Sequence, residues 1–151
     1  MLLIEKKHGV FFTAAILCVI SCFAVRLSLF ALDAASSKSK LTSLLAERRE
    51  TLKTRVEMIE KLVGIARSTP EALLTARDDL FNAELEMATN HNERIGVLQE
   101  KLGNAKQLEL IMQQRKRDAD GTEAEVLMAK ADRLRIEIEL LRETEQRGKS
   151  Q

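Results

Sequence analysis

DADGTEAEVLMAKADRLRIEIELL, residues 118–141, holds a helix stop, a helix start and an apolar heptad in succession. Asp118-Ala119-Asp120-Gly121 supplies the turn chemistry that ends one helix. Thr122 and Glu125 then form the Thr-x-x-Glu pattern of a capping box, in which the two side chains satisfy backbone donors at the new helix start. Ala124, Leu127, Ala131, Leu134, Ile138 and Leu141 follow at alternating intervals of three and four. Such a stripe runs along one side of a helix and needs a partner to keep it from water. The segment predicts a third helix over 122–147 with a short tail at 148–151.

The second helical segment lies just upstream, over 70–117. Thr69-Pro70 marks its start, with threonine as the cap and proline at the first helical position, where its missing N–H costs nothing. Its stripe is Leu74, Phe81, Leu85, Ala88, Ile95, Leu98, Leu102, Ala105 and Met112. Thr89-Asn90-His91-Asn92 interrupts it, as a polar layer in one long helix or as a turn that breaks the segment near 89–92. Ile95, Leu98 and Leu102 match the spacing of Leu127, Ala131, Leu134, Ile138 and Leu141. A short turn favours antiparallel neighbours. These two sets are therefore the expected sides of one helix seam, with Leu134 and Ile138 buried at its centre.

Further upstream, Leu41, Leu45, Leu52, Val56, Ile59, Val63 and Ala66 give a first coiled-coil helix over 41–67. Residues 33–40, rich in serine and lysine, are expected to be a linker. The chain before them is of another kind. GVFFTAAILCVISCFAV, residues 9–25, has no charged residue, and after Arg26 the apolar character resumes through Leu32. A bilayer core needs about 20 mostly apolar residues, and an arginine near one end can reach the interface. Residues 9–32 thus read as a transmembrane anchor behind an N-terminal tail of 1–8, in which Lys6 and Lys7 are basic. A cleaved signal peptide is a competing reading. So is a lipoprotein: Val19-Ile20-Ser21-Cys22 resembles a lipobox, which makes Cys22 the candidate lipidation residue.

The expected fold class is all-α, one transmembrane helix followed by antiparallel coiled-coil helices in a helical hairpin. The short N-terminal tail favours the N-terminus inside and the long C-terminal part outside; the expected location is the bacterial inner membrane, with the C-terminal region in the periplasm. Basic residues flank the span on both sides, so the positive-inside count is a tie.

Composition narrows the function. The 24 basic and 23 acidic residues give a net charge of +1, with no global field to attract nucleic acid. Arg115-Lys116-Arg117 sits at a helix C-terminus, where cations complement the dipole. Phe81 is the sole aromatic after residue 32, and no Trp or Tyr exists, which suits narrow helix seams better than a thick core. His8 and His91 are far apart, and no metal-ligand spacing is present. No catalytic residue, metal, cofactor or small-molecule substrate is expected. Gly96 and Gly103, seven apart, suggest a close helix approach. The expected partners are membrane lipid and a protein, either a second copy or another component of the cell envelope. Lys53, Glu57 and Lys61, Arg135 with Glu139, and Glu143 with Arg147 fall at i, i+4 spacing on the face expected to meet water, each pair contributing about 0.2–0.5 kcal/mol.

Gly121, Glu125, Val126, Leu127 and Ala129 also resemble a helix start in TolC-type outer-membrane efflux proteins, where a glycine turn precedes an acid-Val-Leu-x-Ala stretch. The resemblance covers residues 115–141 and implies a helical hairpin of bacterial-envelope type. The rest of the chain departs from that family in length and in having no strand pattern.

Overall fold

The computed structural model describes the backbone of residues 9–149 and the side chains of residues 37–149. The described residues form four helices and no strand: α1 (Gly9–Gly64), α2 (Pro70–Met87), α3 (His91–Arg117) and α4 (Glu123–Lys149). The chain divides into two units, residues 1–43 and 44–151. Among the described residues no helix is long and apolar enough to cross a membrane. The anchor expected at 9–32, together with Cys22, lies outside the residues whose side chains are described.

Residues 33–40, expected as a linker, are helical and continuous with α1. Alanine and lysine favour helix, and nothing there breaks it, since the stretch contains neither glycine nor proline. The Thr42 hydroxyl donates back to the Lys38 carbonyl at 3.0 Å, a bond compatible with a helical backbone.

In the second unit, the part of α1 from Leu44 onward runs antiparallel to α2. Arg48 pairs with Glu86, Arg49 with Glu84 at 3.1 Å, Arg55 with Asp79 at 2.6 Å, and Arg77 with Glu60 at 3.2 Å. Val56 is the buried apolar residue of α1 on this side. The α1–α2 turn closes by two backbone bonds, Ala66 N–H to Val63 C=O and Arg67 N–H to Leu62 C=O, with Ala66 at φ 56°. This is the Schellman closure, with alanine in the left-handed position that glycine usually fills. Thr69 then caps α2, accepting from the Ala72 N–H at 3.2 Å, with Pro70 in the first turn.

The interruption at 89–92 is a turn. Ala88 leaves helical geometry, and Asn90 caps α3 by accepting from the Glu93 N–H at 3.0 Å. Glu93 reaches back to the Thr89 N–H at 2.8 Å, so the polar run is a capping device and not a layer inside one helix. That bond and the Thr89 hydroxyl hold the Glu93 carboxyl below its usual range.

The α3–α4 turn repeats the Schellman closure. Asp120 N–H bonds to Arg115 C=O and Ala119 N–H to Lys116 C=O, with Ala119 at φ 59°. The left-handed residue of this turn is Ala119 and not Gly121. Gly121 supplies room, because a Cβ there would lie 3.0 Å from the Arg115 Cβ and 3.2 Å from its carbonyl carbon. Thr122 and Glu125 form the expected capping box: Thr122 N–H donates to Glu125 at 2.7 Å and Glu125 N–H to the Thr122 hydroxyl at 3.2 Å. The Thr122 backbone bond, with its hydroxyl and Arg115, lowers the Glu125 pKa.

α3 lies between α2 and α4, antiparallel to each, and the core of the second unit gathers on it. Leu98, Ala105 and Ile136 are buried together, with Leu85, Leu102 and Leu140 packed around them. Toward α2 the contact is also polar. The Lys101 ammonium, 3% exposed, meets Asp78 at 3.3 Å and Asn82, and Asn104 donates to the Leu74 carbonyl at 2.8 Å. Gly96 and Gly103 permit no close approach, since a Cβ at either would meet nothing within 4 Å.

Candidate interaction surface

α4 carries two stripes, each with heptad spacing, on nearly opposite sides. Val126, Ala129, Arg133, Ile136, Leu140 and Glu143 make one. Leu127, Ala131, Leu134, Ile138 and Leu141 make the other. The first faces α3.

That inward face is half apolar and half ionic. Ala129 and Ile136 are buried, and Arg133 pairs with Glu109 across the interface at 2.6 Å and with Glu137 along the helix at 2.8 Å. Glu143, buried near the α2–α3 turn, takes the His91 Nδ1 at 2.5 Å and the Arg94 Nε at 3.2 Å. Arg94 also reaches Glu139 at 3.5 Å and donates to the Leu85 carbonyl at 3.3 Å, tying α2, α3 and α4 together at this end. The His91 hydrogen bond, reinforced by Arg94 against partial desolvation, holds the Glu143 carboxyl below its usual range. At the opposite end Arg115 lies 3.8 Å from Glu125, and Lys116 pairs with Glu123.

The residues facing one another across the α3–α4 contact differ from the expected seam on the α4 side. Ile95 and Leu98 are buried and Leu102 partly so, but their α4 neighbours are not the residues the sequence nominated. Leu127 is 55% exposed, Leu134 41%, Ile138 48% and Leu141 60%, whereas Ile136 is 2% exposed. Ala124 and Ala131 are exposed with them. The physical reason is that charged Arg133 and Glu143 read as surface positions in a sequence, yet each finds an opposite charge on α3. Once those ions are paired, the mixed face can be buried. The purely apolar face is left outside. Arg135 accordingly pairs with Asp132 at 3.2 Å and not with Glu139, and Glu143 turns inward instead of forming the expected pair with Arg147.

The exposed stripe is continuous and contains the floor of a shallow, open groove of about 540 Å³ lined by Ala131, Leu134, Arg135, Ile138, Glu139 and Arg142. An apolar strip rimmed by charged residues has the anatomy of a helix-binding surface. It offers no convergent polar groups for chemistry. Lys101, Asn104 and the His91–Arg94–Glu143 group were not nominated as contact residues by the sequence. Their only signal was placement, at helical spacing from Leu98 and Ile136, and charge obscured it.

Comparison with protein-family models, with curated proteins and with solved structures returned no match.

Proposed function

We propose that this chain is a non-enzymatic, single-pass membrane protein whose helical region mediates self-association or binding to another component of the cell envelope. The observation that carries the interaction is the orientation of α4: its most apolar stripe is exposed, while a charge-bearing stripe packs inward. Leaving several large aliphatic side chains in water forfeits about 25 cal/mol for each Å² of apolar surface, which a partner helix would recover. Membrane attachment is supported by the uncharged run of residues 9–25 and its apolar continuation to Leu32. The bacterial envelope is supported by the TolC-type likeness of residues 115–141.

Alkaline washing of membranes from cells expressing the full chain tests the anchor. The chain should stay in the pellet and enter solution with detergent; release by the wash would refute the anchor. The lipobox-like Val19-Ile20-Ser21-Cys22 supports a second reading, a lipoprotein or secreted helical module. Intact mass separates the two, an unprocessed chain for the anchor and a diacylated chain beginning at Cys22 for the lipoprotein.

A further inference from the structure

We propose that the exposed stripe of α4 is covered by α4 of a second copy, antiparallel, in a register that places residue 131 opposite 134; this rests on the reading of that stripe as an interaction surface. Size is the first argument. In this register Ala124 meets Leu141, Leu127 meets Ile138 and Ala131 meets Leu134, each twice about the two-fold axis. The exposed alanines lie opposite leucines, so no layer is left with alanine on both sides. Parallel pairing sets Ala124 on Ala124 and Ala131 on Ala131, leaving two thin layers among thick ones.

Charge selects the same arrangement. Beside the stripe, exposed Lys130 of one copy falls opposite Glu137 of the other, and the reverse pair forms by symmetry. Arg135 falls opposite the apolar stem of Met128. Sliding one heptad in either direction opposes Glu137 to Glu137 and Arg135 to Arg135, or Lys130 to Lys130. A parallel pair opposes Lys130 to Arg135. Of the arrangements compared, the chosen register alone brings no like charges together across the seam, and like charges in register are a standard means of excluding a pairing. A two-fold contact is self-complementary, so one stripe supplies both sides.

Thiol cross-linking of the full chain in detergent tests this, in a background with Cys18→Ser and Cys22→Ser and a short bismaleimide. The variants are Leu127→Cys, Ile138→Cys and the two together. In the proposed register residue 127 faces 138 of the other copy, whereas the two copies of residue 127 are about 16 Å apart along the axis at 1.5 Å rise per residue. The double variant, and an equimolar mixture of the single variants, should give covalent dimer in at least ten-fold excess over either single variant alone. Equal linking by each single variant alone would overturn the antiparallel register and leave the α4 surface in place. No linking by any variant, with the chain monomeric, would overturn pairing between copies; the alkaline wash would still report separately on the anchor. Unchanged melting of each variant shows that the hairpin is intact, since both positions are exposed.

Discussion

Ile136 and Leu134 are two residues apart on α4 and face opposite ways, so equal truncations should have unequal effects. Ile136 fills the space between Leu98 and Ala105, and Ile136→Ala should cost about 2–5 kcal/mol in chemical denaturation, at any protein concentration. Leu134→Ala should leave the intrachain melt almost unchanged in dilute detergent solution and weaken association. Equal losses from both would mean that Leu134 is buried within the chain. Glu143 is the other residue with a distinct signature. Its folded pKa is depressed, so its carboxylate stabilises the fold above its ordinary value of 4.5, and that stabilisation is lost as pH falls through the depressed folded value. Glu143→Gln should therefore lower the melting temperature near neutral pH, by an amount that shrinks as the pH is taken below about 4.5. A deficit independent of pH would show that the carboxylate charge is not what His91 and Arg94 respond to.

The helices owe their ends to local chemistry, and here sequence and structure agree most closely. Thr69-Pro70 and Thr122-x-x-Glu125 both cap as their patterns imply. Asn90-x-x-Glu93 is the same device, hidden because it lies in a polar run that a long helix could also have tolerated. Asn90→Ala should cost about 0.5–2 kcal/mol by removing the cap of α3, read as a lower thermal midpoint. The two alanines in left-handed backbone, Ala66 and Ala119, give the opposite expectation. Glycine adopts that conformation without a Cβ clash, so Ala66→Gly and Ala119→Gly should each stabilise by about 0.5–1 kcal/mol. A loss of stability in both would refute the Schellman geometry at those turns. What the sequence concealed was which side of α4 turns inward. Periodicity places residues on faces but does not say which face a neighbour will take, and Arg133 and Glu143 favoured the wrong choice until Glu109, His91 and Arg94 were seen opposite them. The helical backbone at 33–40 follows related physics: serine and lysine suggest exposure, and an exposed stretch without glycine or proline can still be helical.

At the scale of the whole molecule, residues 44–151 form a unit of successive antiparallel helices whose internal contacts are satisfied in part by ions. This leaves an uncharged stripe for contact with another chain. With the proposed anchor, chains in one membrane would meet at high effective concentration, which lets a modest apolar contact persist. The most direct test is sedimentation equilibrium of the full chain in density-matched detergent, beside a variant carrying Leu134→Glu and Ile138→Glu. The natural chain should sediment as a dimer and the variant as a monomer, with equal helical content by circular dichroism. A monomeric natural chain, or a variant that remains dimeric, would contradict self-association through this stripe of α4.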